Sequence, residues 1–308
     1  MPPANAFSWT DQSSLAKRGE QSSLGLSGSN FAHALKSSGG SEEQSSIGIR
    51  RSRLKVVKVG GSCLEKPEYL DEIADQFAEL VLSGYKLVIV VSAMKGETDK
   101  LLEEARLLGI TDPAKLDAHI AQGEMNSAKA LARILEFGHG VPSHAVLPGS
   151  KHWSIKTDAR FGDANPLIEE TRERTIESMS NLLNSVSVAV VCGFLGETLE
   201  GEITTLGRGG SDATALLLGN VLRASEVVLV KDVDGMYNCD PRKNKHAERI
   251  PKMTAFEAYE MAKNGAKVVQ PKALELKSSD VDLRIVGNGS GKGTIITGAV
   301  DLGMGVLA

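Results

Sequence analysis

Four short runs in this chain are apolar at nearly every position rather than at alternate ones: residues 54–59, 86–91, 186–192 and 226–230. A strand with one wet face alternates, whereas a strand apolar on both faces must be covered on both. Between these runs lie segments with apolar residues at helical spacing, at 67–82, 97–108, 171–183 and 211–222. Covered strands alternating with helices predict an α/β fold with a mostly parallel sheet covered on both faces. Further strands are predicted at 143–147, 282–286 and 294–297, and further helices at 254–263 and 271–277. Residues 197–205 predict a small hairpin around Glu200-Gly201, and 112–137 a helix broken near Gly123.

This pattern fills residues 54–308, predicting one large domain, and α/β domains reach ~250 residues. Residues 1–53 differ: they hold 13 serines, several glycines and no sustained periodicity. Such a stretch cannot bury enough apolar surface to offset its ordering entropy, so a disordered tail is predicted. It lacks the apolar centre of a secretory signal, and Asp11, Glu20, Glu42 and Glu43 interrupt a transit-peptide composition, which leaves organelle targeting open. The net charge of −4, 35 basic against 39 acidic residues, provides no strong field for nucleic acid or an anionic membrane. Aromatic residues make up only 4%, too few for a base-stacking surface. No apolar run approaches the ~18 residues that span a bilayer. Cys63, Cys192 and Cys239 are odd in number and widely spaced, matching neither a zinc pattern nor a disulfide framework. A reducing, cytoplasmic compartment is the expectation.

In doubly wound sheets, ligands sit beyond the carboxyl ends of the strands. The run Thr204-Thr205-Leu206-Gly207-Arg208-Gly209-Gly210-Ser211-Asp212 is poor core material but suits an anion site. Its glycines bring backbone N–H groups close to negative oxygens, and Ser211 and Asp212 open a helix whose N-terminus favours negative charge. Arg208 offers a fork that holds a carboxylate with two hydrogen bonds. Lys58 ends a buried strand just before Gly60, Gly61 and Ser62, where it either meets phosphate or snorkels. The order of residues is not that of a Walker loop. Ser92 and Thr98 flank another strand–helix junction, as substrate ligands or as caps. Gly123 either bends its helix to aim Glu124 into a cleft or is a tolerated surface glycine. Residues 231–242 form a turn-rich loop that lacks the calcium-loop spacing but suits a nucleotide. Lys267 follows Gly265, which reads as a helix C-cap.

These loops, in this order, resemble the amino acid kinase family, and within it the catalytic domains of aspartate kinases. The similar stretches are Lys58-Val59-Gly60-Gly61-Ser62, residues 90–98, Gly123-Glu124, residues 157–162, Gly193-Phe194, residues 203–212, Asp232 to Tyr237 with Asp240-Pro241-Arg242, residues 265–268 and Gly293-Thr294. The resemblance covers about residues 54–298, and its 204–212 block is the most specific part. It implies a three-layer αβα sandwich whose N-terminal part binds a phosphate acceptor and whose C-terminal part binds ATP. By position, Lys58 and Lys267 would neutralise the transferring phosphoryl group, and Asp212 would organise the lysines. Ser92, Thr98, Glu124, Arg208 and Ser211 would hold an aspartate-like acceptor. Gly60, Gly61, Ser62, Gly209, Gly210, Lys231, Asp232, Tyr237 and Arg242 would bind the nucleotide. Mg²⁺ would be held mainly through the ATP phosphates, with Asp212 a candidate ligand. A homo-oligomer is also implied. Positioning and charge neutralisation suffice for such a transfer. Another small carboxylate or phosphate acceptor, or a non-catalytic nucleotide-binding or storage role, are the alternatives.

Departures from the family pattern are Val59 in place of an aromatic, Cys63 in place of a serine, Lys231 in place of threonine or serine, and Gln270 before Pro271 in place of histidine. The 106–123 segment is short. Aspartate kinases continue into paired ACT regulatory domains, whereas this sequence stops at Ala308. It reads either as a free-standing kinase without that feedback or as a catalytic fragment.

Overall fold

Five of the six residues in strand β1 (Leu54–Val59) are buried, and Val56, Val57 and Val59 expose nothing. That is the burial expected of a central strand. The computed structural model describes residue 36 and residues 53–65, 67–288 and 291–301. The expected tail thus lies outside the described residues, apart from Arg53 and Lys36; the Lys36 ammonium pairs with Glu79 at 2.5 Å.

From β1 the chain makes one 3-10 turn (Gly61–Leu64) and enters helix α1 (Pro67–Leu82). Strand β2 (Lys86–Val91) leads to α2 (Glu97–Leu107), α3 (Pro113–Ile120) and α4 (Gln122–Arg133). Asp112 caps α3 by accepting the Lys115 N–H at 2.9 Å, with Pro113 in the first turn. The helix expected at 112–137 with a break near Gly123 is indeed two, parted at Ala121, and Ile134–Gly138 continues it as a π turn. Next come β3 (Ser143–Val146), α5 (Ile168–Ser185) and β4 (Val188–Cys192). Strands β5 (Leu195–Glu197) and β6 (Ile203–Thr205) pair antiparallel, as the expected hairpin. They are followed by α6 (Gly210–Val221), β7 (Glu226–Lys231) and a ribbon of β8 (Met236–Tyr237) with β9 (Arg249–Ile250). The chain continues through β10 (Lys252–Thr254), α7 (Ala255–Lys263), α8 (Pro271–Leu274), β11 (Asp282–Gly287) and β12 (Gly293–Thr297). Strands β8, β9 and β10 have only two or three residues, too few for a periodicity to register. Helix α8 is shorter than expected: past Leu274 the chain tightens into turns in which Leu276 and Lys277 N–H groups donate to the Ala273 and Leu274 carbonyls, and the Lys277 ammonium donates to the carbonyls of Val281 at 2.8 Å and Gly298 at 2.6 Å.

The main sheet has eight strands in the order β10-β12-β11-β7-β1-β2-β4-β3. All neighbours are parallel except β11 and β12. Helices α1 and α4 pack together on one face, and α5, α6 and α8 on the other. Helix α6 has ten of its twelve residues buried. It lies so close to the sheet that a Cβ on Gly219 would come 2.1 Å from Val227 Cγ2. Successive strands depart from β1 in opposite directions, β2 on one side and β7 on the other. This is the switch point at which open α/β sheets leave a crevice, and Lys58 stands at its lip. No helix among the described residues is long and apolar enough to cross a membrane.

Candidate functional site

The crevice is lined first by charge. Lys58, next to last in β1, and Asp212, third residue of α6, are both buried. Lys58 Nζ lies 3.2 Å from Asp212 Oδ1, an ion pair without hydrogen-bond geometry, while Lys231 Nζ donates to Asp212 Oδ2 at 2.5 Å. Burial opposes ionisation of Asp212, but the charges of Lys58 and Lys231 outweigh it and hold the carboxyl below its usual value. Burial lowers the Lys231 pKa despite Asp212, with Lys58 adding to the effect. Two ammonium groups around one carboxylate leave a net positive centre at the N-terminus of α6, where anions are favoured. Sequence reasoning assigned Lys231 to the nucleotide; the structure also seats it on Asp212.

Close backbone approaches set the other groups. A Cβ on Gly61 would fall 2.5 Å from the Ala93 carbonyl oxygen, so the loops after β1 and β2 touch. Gly123 lies in the first turn of α4, not in mid-helix, and a Cβ there would lie 2.8 Å from that of Ala93. Its purpose is close approach rather than a bend. Glu124 consequently reaches the loop, and its Oε1 accepts the Ala93 N–H at 3.0 Å. Its Oε2 is buried with no hydrogen-bond partner among the described residues. Burial pushes the carboxyl up to about 7, against the lowering effect of the backbone donors. Ser92 Oγ donates to Ser211 Oγ at 3.0 Å. Phe194 sits beside them at φ +68°, a left-handed conformation unusual for a bulky residue.

Ser92, Thr98, Glu124, Arg208 and Ser211 all converge on a cavity of about 370 Å³, together with Lys58, Asp212, Lys231 and Lys267. Arg208 and Lys267 are exposed and make no hydrogen bond or ion pair with other described residues. Gly209 and Gly210 line this cavity, whereas Gly60, Gly61 and Ser62 flank the charged cluster and line neither of the two cavities. The other cavity, of about 960 Å³, is walled by Asp232, Tyr237, Arg242 and the end of α7. There Arg242 donates to Asp232 Oδ2 at 2.8 Å and the Tyr237 hydroxyl donates to Asp234. Lys231, Lys267 and Val268 line both cavities, which therefore meet at two lysines.

Sequence reasoning missed the supports of this site. Asp117 is buried and accepts the N–H groups of Gly162 at 2.9 Å and Thr205 at 2.8 Å, and the Thr205 hydroxyl at 3.1 Å. Nothing in its local sequence separates it from a surface acid on a helix. Gln270 fills the space over Gly209, where a Cβ would lie 2.6 Å from its Cγ.

Residues 53–287 match the Amino acid kinase family. An aspartokinase of Helicobacter pylori is 34% identical over 253 residues, 80% of this chain and 60% of that protein. An aspartate kinase of Pseudomonas fluorescens is 38% identical over 250 residues, 79% of this chain and 58% of the relative. Among solved structures, E. coli aspartokinase III in complex with aspartate and ADP aligns with a TM-score of 0.69 and 27% identity, covering 81% of this chain and 65% of that one. The Synechocystis aspartate kinase aligns at 0.67 and 29%, covering 80% and 40%. The chain thus spans about three fifths of the length of the curated relatives it matches. In sequence and in strand architecture alike, this chain belongs to the amino acid kinase family.

Proposed function

We propose that this chain transfers the γ-phosphoryl group of ATP to the side-chain carboxylate of aspartate, giving 4-phospho-aspartate, an acyl phosphate. One observation carries the reading: a small cavity with an acidic and a basic anchor opens onto a larger one across Lys231 and Lys267. Two ligands meeting there would place an acceptor oxygen and a terminal phosphate side by side.

In this reading Arg208 grips the acceptor's α-carboxylate, and Glu124, with one buried oxygen unpartnered, receives its α-ammonium. Ser92, Thr98 and Ser211 complete the acceptor's hydrogen bonds. The acceptor is then held by both ends of its amino acid moiety, with its side-chain carboxylate toward the lysines. That carboxylate is already ionised, so no strong general base is needed. Lys58 and Lys267 neutralise charge on the phosphoryl oxygens as it passes, and Asp212 keeps Lys58 and Lys231 apart and aimed. The nucleotide lies along Asp232, Tyr237 and Arg242, its phosphates reaching Gly209, Gly210 and the N-terminus of α6.

Both oxygens of Asp212 face lysines, and no group of three or more His, Cys, Asp or Glu among the described residues is placed to hold a metal. This donor set fits Mg²⁺ carried by the nucleotide's own phosphates, where it supplies further charge neutralisation. An ATP-dependent hydroxamate assay over a panel of carboxylic amino acids tests the proposal. Product is expected with aspartate; hydroxamate formed only with a different acid would reassign the acceptor.

A further inference from the structure

Lys272, on α8, is absent from both cavities, yet its ammonium joins the two segments that carry the site's free cations. It donates to Asp163 Oδ1 at 2.9 Å, to the Ala164 carbonyl at 3.2 Å and to the Leu206 carbonyl at 3.3 Å. Leu206 lies two residues before Arg208 in the chain. The same crossing is tied by the Ala164 N–H to the Thr205 carbonyl at 2.8 Å and by the Leu206 N–H to the Phe194 carbonyl at 2.8 Å. Asp163 also crowds Gly207, where a Cβ would lie 2.3 Å from its Oδ1. On the other side, α8 continues the stretch that holds Lys267, and Gln270 at its N-cap packs over Gly209.

Arg208 has no protein partner of its own among the described residues, so its position depends on the loop beneath it. That loop has glycines at 207, 209 and 210, two of them at positive φ, and little intrinsic stiffness. We propose that Lys272 is a positioning residue: a strut that fixes the Arg208 loop relative to the Lys267 segment, and so sets the spacing between acceptor carboxylate and phosphoryl group. Its kinetic consequence rests on the proposed function. Its structural consequence does not.

The test uses Lys272→Met, which keeps the apolar stem and removes the ammonium, and Lys272→Arg, which keeps a cation. The Lys272 side chain is one-third exposed, so water replaces the lost donor and the melting temperature of Lys272→Met is expected within about 3 °C of the parent. The acceptor KM is expected to rise about fivefold or more, and clearly more than the ATP KM, because the acceptor loses its Arg208 anchor while the nucleotide keeps its proposed contacts at Asp232, Tyr237 and Arg242. Lys272→Arg is expected to recover most of that loss. Amide hydrogen exchange at residues 207–210 is expected to quicken in Lys272→Met without any ligand. An unchanged acceptor KM, or equal rises in both KM values with a lower melting temperature, would overturn the strut. Should the parent phosphorylate no carboxylic acid, the functional reading fails by itself, and exchange alone decides: unaltered rates at 207–210 overturn the strut, and faster rates sustain it.

Discussion

Asp212 Oδ2 stands 2.5 Å from Lys231 Nζ while its other oxygen faces Lys58 Nζ at 3.2 Å, so one buried carboxylate is shared by two ammonium groups. Neither lysine is neutralised outright, and each keeps a surplus of positive charge toward the cavities. The arrangement explains how two lysines tolerate burial beside each other: their common counter-charge comes from a helix that Gly219 lets pack closely against the sheet.

Replacing Asp212 with Asn should therefore leave two buried ammonium groups facing each other. Breaking a buried ion pair from one side costs about 3–5 kcal/mol. Asp212 has a depressed carboxyl pKa, so its contribution is present above the ordinary carboxylate range and fades as pH falls through the depressed value. Urea unfolding at neutral pH should show a large loss for Asp212→Asn and a smaller one for Lys231→Met, which leaves the Lys58 pair intact. Equal losses would mean that the cluster is not held by charge.

Glu124 carries the opposite sign. Its carboxyl titrates in the folded chain at about 7, above its unfolded value of 4.5. Between those values the native state binds the extra proton, so stability falls as pH rises through the window, by up to about 3 kcal/mol. Glu124→Gln should remove that slope, gaining stability at pH 8 but not at pH 4. In the parent, acceptor KM should worsen as pH drops below 7, where Glu124 becomes neutral and no longer attracts an ammonium. Unfolding curves that slope alike in parent and variant would show that Glu124 ionises normally.

Arg208→Lys tests the acceptor's other anchor. A lysine keeps the charge but loses the two-pronged geometry. The contact serves ground state and transition state alike, so acceptor KM should rise more than kcat falls, with ATP KM nearly constant. Loss of ATP affinity with aspartate affinity retained would move Arg208 to the phosphate.

Gly219→Ala addresses the fold. In an exposed helix the exchange would gain about 1 kcal/mol. Here the new methyl meets Val227 and should cost roughly 1–3 kcal/mol by overpacking. A stabilised variant would show that α6 can lift from the sheet.

The sheet was legible because its central strands are largely apolar on both faces, which requires cover on both sides. The candidate residues were legible because strand ends in such sheets converge, and Lys58, Glu124, Arg208 and Asp212 each sit in a loop too polar or too glycine-rich for the core. What stayed hidden depends on distant partners. The Asp117 bonds to Thr205 span 88 positions, and Lys272 reaches Asp163 across 109. The pairing of Lys231 with Asp212 was equally invisible, since a lysine at a strand end serves a phosphate or a carboxylate with the same side chain. A break near Gly123 was legible, but not the reason for the glycine, which is a close approach to Ala93 on a different loop.

The wall common to both cavities consists of Lys231, Lys267 and Val268. In the proposed function the two cavities hold the two reactants on either side of these residues. An adenosine joined through a chain of phosphates to an amino dicarboxylate would fill both at once, and its second end would bind at the high effective concentration imposed by the first. The geometry on which the proposed transfer rests is thus also a template for a single inhibitor with two heads.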